Sequence, residues 1–271
     1  MYKLTTFFFI NLFLISCTNY FKDFNVNMQY ATAIKQSSTI VFEDEFTGNW
    51  QEKWFLDGEN AQLINTPNGL EFYAGGYNKP IPGQQVPEYH ATLWTKQVFD
   101  GDIRIEFNYT RLDTVNRFVN ILYIFAEGSG ILPYNKDISK WNELRNISAM
   151  QEYYNNMNVY HISYSAFNSN GDSITDYIRS RRYIPDGRGL EGTKLTPEYF
   201  NIGMFKTSVK HHITVLSKGD YLFMKVESPE KNGYYYFNKS PLAVINSGRI
   251  GLRIMNFRAA LISGFKIYKL N

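Results

Sequence analysis

Charged and apolar side chains alternate in the stretch from Asp102 to Tyr109. The odd-numbered positions hold Ile103, Ile105, Phe107 and Tyr109, and the even-numbered positions hold Asp102, Arg104, Glu106 and Asn108. A period of two is typical of a β-strand with one buried face. On the polar face, an arginine beside a carboxylate suits the hydroxyl and charged groups of a sugar. The same pair could equally form an ion pair on a solvated face.

A histidine and two tyrosines lie in a second predicted strand, at His161, Tyr160 and Tyr164. Alternation puts the histidine on one face and both tyrosines on the other, and either face could be the outer one. A histidine can remove a proton from a substrate, and a tyrosine can protonate a leaving oxygen. The candidate catalytic residues are therefore His161, Arg104, Glu106 and Tyr164. Candidate ligand-binding residues are His90, Asn108, Tyr160, Arg179, Arg181 and Arg253.

Each candidate also has a structural interpretation. His161 could be a hydrogen-bonded, half-buried histidine, and the cluster around Arg179 and Arg181 could be an exposed strand edge. His90 follows a proline-rich loop, which is a common place for binding groups. The sequence leaves these alternatives open.

Many short strands are needed to position these residues. The pattern predicts strands at 39–46, 62–65, 69–73, 91–99, 102–110, 118–126, 158–167, 176–183, 199–205, 210–217, 221–227, 233–237, 248–254 and 260–270. Gly, Asn, Asp and Pro separate them, which indicates an antiparallel all-β sandwich and not βαβ units. Segment 137–156 has few β-branched residues and is predicted to form one or two short helices, capped at Ser139. This insertion could wall a cleft.

Composition agrees with a β-rich domain that has many flat rings. The chain has 271 residues, 17% of them aromatic, and a formal net charge of +3. Aromatic residues favour strands. No basic run accompanies a nucleic-acid-binding motif, so we expect no nucleic acid partner. The oligomeric state stays open.

The N-terminus resembles that of an exported lipoprotein. Lys3 precedes an apolar run at 7–15, and Ser16-Cys17 follows in a sequence similar to a bacterial lipobox. Cys17 is the only cysteine of the chain, so an intramolecular disulfide is excluded. We expect a lipoprotein signal peptide at 1–16, lipidation of Cys17, a tether at 17–38 and one domain at 39–271. The lipid would hold the protein at a membrane of the bacterial cell envelope, in the periplasm or at the outer-membrane surface.

Four stretches together resemble the YesU-like family of unknown function. They are FEDEF with Trp50, HATLWTKQVFDGDIRIEFNYTRLD from His90, NVYHISYSAFN from Asn158, and GRIGLRIMNFRAALISGFKIY from Gly248. The resemblance spans nearly the whole predicted domain. It implies a concanavalin-like jelly-roll sandwich with a groove for an extended glycan, in bacterial polysaccharide utilisation.

A weaker resemblance links the chain to jelly-roll polysaccharide lyases. It rests on YFNIGMFK from Tyr199, on Arg104-Ile105-Glu106 and on the strand with His161. It implies β-elimination of an acidic glycan, in which a cation neutralises the sugar carboxylate and a histidine or tyrosine moves the proton. One alternative is a glycoside hydrolase that uses Glu106 and a second carboxylate. The other is a non-catalytic glycan-binding lipoprotein.

No cofactor is expected from the sequence. Four histidines and one cysteine show no transition-metal ligand spacing. Glu43, Asp44 and Glu45 could contribute to a structural calcium site, although a charged strand edge is the simpler interpretation.

Overall fold

Two antiparallel β-sheets pack face to face in the computed structural model of the protein, which describes residues 28, 30–32, 34–80, 86–168 and 175–271. Thr39–Leu270 forms one compact unit, and the described residues up to Ser38, with Asn271, belong to another. The described positions between 28 and 35 are helical. The predicted signal peptide and Cys17 lie outside the described residues, and the predicted domain boundaries stay predictions.

Sixteen strands are present in the part of the chain that the structure describes. Sheet A contains, in spatial order, β14 (Asn232–Asn238), β13 (Tyr221–Glu227), β12 (Lys210–Lys218), β7 (Ile103–Arg111), β16 (Ala259–Leu270), β4 (Gly69–Tyr73) and β3 (Gln62–Thr66), and β1 (Ser38–Asp44) pairs with β16. Sheet B contains β11 (Lys194–Phe200), β10 (Thr175–Tyr183), β9 (Met157–Asn168), β8 (Phe118–Gly128), β15 (Ser247–Ile254), β5 (Ala91–Thr95) and β2 (Trp54–Asp57), and β6 (Phe99–Asp100) pairs with β15.

Short helices connect some of the strands. They are the 3-10 helices η1 (Trp50–Glu52), η2 (Pro87–Tyr89) and η3 (Ile138–Arg145), and the α-helix α1 (Met150–Asn156). No helix among the described residues has the length and apolar character needed to cross a membrane.

Strand β7 shows how alternation builds the core. Its residues are buried and half-buried in strict turn, with Ile105 and Phe107 in the cluster between the sheets. The half-buried residues Arg104, Glu106, Asn108 and Thr110 therefore point away from sheet B, on the outer face of sheet A, whereas Arg111 is buried. The predicted all-β antiparallel sandwich is confirmed.

The central strands of sheet B are buried on both faces. Seven of the eight residues of β15 are buried, because the segment with η3 and α1 covers the outer face of the sheet. Trp141 and Tyr153 of this segment pack in one cluster with Trp94 and Tyr123 of the sheet. We call residues 138–156 the insertion. Its helices were predicted, but Asp137, which accepts a hydrogen bond from the Ser139 amide, is the cap in place of Ser139.

The strand predictions differ from the structure in three places. The strand predicted at 91–99 ends at Thr95, and Phe99 begins a separate strand, β6. A strand was predicted at 199–205, but β11 ends at Phe200. Asn201, Gly203 and Phe205 have φ values of 54°, 62° and 60°, which are outside the range of a regular β-strand. Strand β2 was not predicted. The stretch that resembled a lyase strand motif is thus mostly a loop.

Candidate functional site

Strand β9 turns His161 and Ser163 toward the outer face of sheet B. Its alternate residues Tyr160, Ile162 and Tyr164 belong to the core between the sheets. In the neighbouring strand β10, Arg181 is the register partner of His161, and Arg179 is the partner of Ser163. The fold therefore brings three candidates, His161, Arg179 and Arg181, together on one face.

Hydrogen bonds occupy both ring nitrogens of His161. Nε2 lies 2.5 Å from Ser163 Oγ, and Nδ1 contacts the hydroxyl of Tyr183. A neutral imidazole has one donor and one acceptor nitrogen, so these two hydroxyl groups satisfy the ring. His161 is 4% exposed.

The surroundings of His161 disfavour its protonated form. Burial, followed by the charges of Arg181, Arg179 and Arg253, lowers the pKa of His161 well below 6.5. A charged imidazolium would be buried beside guanidinium groups of the same charge. His161 is thus a neutral hydrogen-bonding group, and it is poorly suited to accept a proton from a substrate.

A surface of arginines and aromatic rings borders this histidine. Arg179 lies over the ring of Tyr177, with 4.6 Å between its guanidinium carbon and the ring centroid, and it forms an ion pair with Glu198. The ring of Phe200 follows at 6.3 Å from Tyr177 and is exposed. We call Tyr177, Arg179, Arg181 and Phe200 the basic-aromatic patch.

Arg181 is the less compensated cation of the patch. Its guanidinium donates to Thr193 Oγ1 at 3.1 Å and to the carbonyl of Leu190 at 3.3 Å. It has no ion-pair partner among the described residues. These bonds hold Arg181 half-buried, with donor capacity left for a ligand anion.

Beyond the patch, the insertion covers an aromatic stack. Trp94 and Tyr123 lie 5.2 Å apart with planes at 19°, and Tyr153 of the insertion lies 5.7 Å from Tyr123 at 2°. Gly251 lies in β15, the strand between β5 and β8. It makes room for the stack, because a Cβ at this position would lie 2.4 Å from the indole of Trp94.

Asp57 anchors the insertion to the sheet. Its carboxylate accepts hydrogen bonds from Arg145 Nε at 2.6 Å, Asn142 at 2.6 Å, Tyr153 at 2.9 Å and Trp94 Nε1 at 2.7 Å. Three of these four donors belong to the insertion. The side chains of Asp57 and Arg145 are fully buried.

Two further candidates, His90 and Arg253, contact each other beneath the insertion. Arg253 donates to Nδ1 of His90 at 2.8 Å, to Thr92 Oγ1 at 3.1 Å and to the carbonyl of Ser148. Burial and the Arg253 charge lower the pKa of His90 to about 3, so this ring is neutral. Both residues are buried, at 2% and 0% exposure.

The structure does not bring Arg104, Glu106 and Asn108 to this face. They lie on β7, on the outer face of the opposite sheet. Arg104 Nε pairs with Glu106 at 2.8 Å, and its guanidinium carbon lies 4.1 Å from the ring centroid of Tyr268. The Asn108 side chain contacts His212 at 3.2 Å. The expected groove that combines these residues with His161 does not form, because the sandwich separates the two outer faces.

Tyr160 and Tyr164 point into the core, which places them away from any ligand on an outer face. Tyr164 packs against the rings of Phe107 and Tyr109, and burial raises its pKa well above 10. The hydroxyl of Tyr160 accepts a hydrogen bond from the Ile245 amide at 3.1 Å. Once His161 faces outward, alternation along β9 requires both tyrosines to face inward.

The described residues offer no metal centre. They contain no group of three or more His, Cys, Asp or Glu side chains placed to hold an ion. Among the proposed calcium ligands, Asp44 accepts hydrogen bonds from the Phe46 amide and from Trp54 Nε1, both at 2.8 Å. Both carboxylate oxygens of Asp44 thus already accept bonds from within the protein.

Sequence reasoning missed Asp57 and Trp94 beneath the insertion and Tyr153 within it. One signal was present, since Asp57 ends the otherwise apolar run Trp54-Phe55-Leu56. A carboxylate in a buried strand requires donors. Which donors these are could not be inferred, because three of the four come from residues 85 to 96 positions later in the chain.

Comparisons with known proteins identify the fold. The sequence matches no family profile and no curated protein. The structure is similar to a protein of unknown function with a galectin-like fold from Bacillus subtilis, at a TM-score of 0.61 and 13% identity, over 86% of this chain and 97% of that one.

Two lectin structures are also similar. One is the exoplasmic/lumenal domain of VIP36 in its Ca2+/Man3GlcNAc-bound form, with TM-score 0.53, 12% identity and coverage of 88% and 90%. The other is lectin UEA-II complexed with galactose, with TM-score 0.52, 7% identity and coverage of 86% and 100%. At these identities the similarity shows a shared lectin-like jelly-roll fold.

Proposed function

We propose that the protein binds an anionic glycan at the basic-aromatic patch on the outer face of sheet B. The observation that carries this proposal is the joint placement of two arginines and two aromatic rings on adjacent strands. Arg179 and Arg181 supply donors for carboxylate or sulfate oxygens, and the exposed ring of Phe200 supplies a face for sugar stacking, while Tyr177 lies buried beneath Arg179. The similarity to lectins, two of them solved with bound sugars, supports a carbohydrate ligand.

Arg181 is the principal anion ligand in this proposal. Arg179 already shares Glu198 with Lys194, whereas Arg181 forms no ion pair in the described part of the chain. Partial burial of Arg181 lowers the local dielectric constant and strengthens its interaction with a ligand anion. His161 and Ser163 lie buried beside it and bond to each other.

The geometry supports binding in preference to cleavage. A lyase mechanism through His161 requires this residue to take a proton, and its burial, together with its three arginine neighbours, opposes that step. Hydrolysis through Glu106 requires a second carboxylate across the scissile bond, whereas Glu106 is paired with Arg104. Neither form of cleavage has a specific observation in its favour.

Binding is tested with isothermal calorimetry on oligogalacturonides, on heparin oligosaccharides and on methyl-esterified oligogalacturonides, which keep the sugar but lose the charge. A hydrogen bond to a charged group contributes about 1.5–3 kcal/mol, so Arg181→Ala should weaken binding of the acidic ligand by about tenfold or more. Lys269→Ala removes one positive charge in sheet A, away from the patch, and should change affinity less than about twofold.

Two results would contradict the proposal. One is the absence of binding to both acidic glycans, or equal binding of the methyl ester. The other is a loss of affinity in Arg104→Ala with none in Arg181→Ala, which would locate the ligand on sheet A. Product formation in the same mixtures, followed by new reducing ends and by ultraviolet absorbance of unsaturated sugars, would favour an enzyme.

We also propose that the protein is a lipid-anchored component of the bacterial cell envelope. The support is Lys3, the apolar run that follows it and the lipobox-like sequence ending at Cys17. Membership of the YesU-like family is proposed on the four sequence stretches given above. In a bacterial host the wild-type protein should sediment with membranes, and Cys17→Ala should not. A wild-type protein found entirely in the soluble fraction would contradict the anchor.

A further inference from the structure

Beneath the insertion, two buried arginines face one buried carboxylate. Arg145 and Arg253 are both fully buried, and Asp57 is the carboxylate that pairs with Arg145. Arg253 has no ion-pair partner within the described residues. Its Nε and the hydroxyl of Ser148 are both buried without a hydrogen-bond partner. A buried guanidinium without a counter-ion is unfavourable, so this position is suited to an anion.

Tyr153 occupies a position that a sugar ring could take. Its ring lies nearly parallel to Tyr123 and at 17° to Trp94, which both belong to the sheet. Its hydroxyl donates to Asp57 at 2.9 Å, as a sugar hydroxyl can. Trp94 and Tyr123 together thus form an aromatic platform, with a carboxylate at its side, that the insertion now covers.

This covered region continues directly from the basic-aromatic patch. Arg253 pairs in register with Ile121, Ile121 pairs with Ser163, and Ser163 pairs with Arg179. The four residues form one row across strands β15, β8, β9 and β10. At about 4.8 Å per strand, the backbones at the two ends of the row are about 14 Å apart. An oligosaccharide is needed to reach from one arginine to the other.

We propose that the region beneath the insertion is a second, latent subsite for the same acidic glycan, with Arg253 as the partner of a further sugar carboxylate or sulfate. We call it the latent subsite. The insertion moves aside, and the glycan takes the place of Tyr153 on Trp94 and Tyr123. This inference rests on the proposed function of the patch.

The construction of the insertion is compatible with such movement. Its helices have eight and seven residues, too short to be stable without packing. Three of its side chains bond to Asp57, and further hydrogen bonds join it to the sheet and to the turn after β2. They include bonds from Asn142 to the Leu56 carbonyl, from Arg253 to the Ser148 carbonyl, and from the amides of Gly58 and Glu59 to the carbonyls of Arg145 and Asn146. Opening must break those contacts, so the closed form dominates. The apparent affinity for long glycans is therefore the affinity of the open form multiplied by the fraction of molecules that are open.

The test removes one hydroxyl group from the attachment of the insertion to Asp57. Tyr153→Phe removes one donor to Asp57 and keeps the aromatic ring. Tyr154→Phe, the adjacent tyrosine on the same helix, is the matched control, because it has no hydrogen bond to Asp57. Affinities are measured with short and long oligogalacturonides and heparin oligosaccharides, and thermal unfolding verifies that each variant is folded.

The expected result depends on ligand length. Tyr153→Phe should raise the affinity for the long acidic oligosaccharide by about tenfold and leave the disaccharide unchanged, and Tyr154→Phe should change neither. Adding Arg253→Met should abolish the gain. Hydrogen exchange in residues 138–156 should become faster when the long ligand binds and stay unchanged with the short one.

Failure of this inference can be told apart from failure of the patch. If long and short ligands bind through Arg181 but Tyr153→Phe gives no gain, or the gain survives Arg253→Met, the latent subsite is refuted and the patch stands. Slower exchange of the insertion with the long ligand would also refute it. If no acidic ligand binds the wild-type protein, both proposals fail.

Discussion

Replacement of Arg145 by methionine tests how the insertion is attached. The Arg145 side chain is fully buried, and its Nε lies 2.6 Å from Asp57. Its other nitrogens donate to the carbonyls of Trp141 at 3.0 Å and Ile138 at 2.9 Å, which closes the turn of η3. Methionine keeps much of the apolar volume, so the change removes mainly the charge and its donors.

The magnitude follows from the carboxylate left behind. Removing one partner of a buried ion pair costs about 3–5 kcal/mol, because the other charge stays buried without compensation. Asp57 keeps three donors, from Trp94, Asn142 and Tyr153. We therefore expect the lower end, a loss of about 3 kcal/mol in the free energy of unfolding. Asp57→Asn in the same chain removes the remaining charge, so the double variant should be more stable than Arg145→Met.

Urea unfolding followed by tryptophan fluorescence measures the free energy, and hydrogen exchange locates the change in residues 138–156. The singles and the double variant form a cycle whose interaction energy isolates the ion pair. A loss of less than about 1 kcal/mol for Arg145→Met would refute the reasoning, since this is the range of an exposed pair. So would a double variant whose loss equals the sum of the two single losses.

Two pH dependences follow from other buried groups. Burial lowers the pKa of Lys239 from 10.5 to about 8, so between these values the unfolded chain binds more protons and stability rises with pH. Between about pH 7 and about pH 9.5, the free energy of unfolding of the wild type should rise by about 2 kcal/mol more than that of Lys239→Met. Urea unfolding measures both, and an equal rise in the two proteins would contradict the lowered pKa. His161 stays neutral across its ordinary pKa of 6.5, so glycan affinity measured by calorimetry should not titrate near that value. A midpoint there that disappears in His161→Gln would show that the ring ionises.

Most strand positions could be predicted because their signal is local. The alternation from Ile103 to Tyr109 defined β7 to within one residue of each end, and the lack of β-branched residues located the insertion. The stretch after Phe200 failed because its apolar residues imitate a strand. Its positive φ angles, at Asn201 and Phe205, are not visible in a pattern of side-chain types.

The candidate site was only partly predictable. Arg179 and Arg181 could be assigned to one face of one strand by parity, and the structure adds His161 to that face. Asp57 could not be connected to Arg145, which lies 88 residues later in the chain. Such contacts depend on how distant strands pair, and one sequence holds no direct record of that pairing.

By itself, the sequence determined the periodicities of this protein: its class, the parity of most strands and the position of the insertion. These follow from backbone geometry, because successive side chains of a strand point to opposite faces whatever the strand packs against. Only the tertiary structure decided which parity faces outward and which strands share a sheet. That choice depends on the burial of apolar surface summed over the whole sandwich. It separated Arg104 and Glu106 from His161, and it placed Arg253 beneath the insertion in the same row as Arg179.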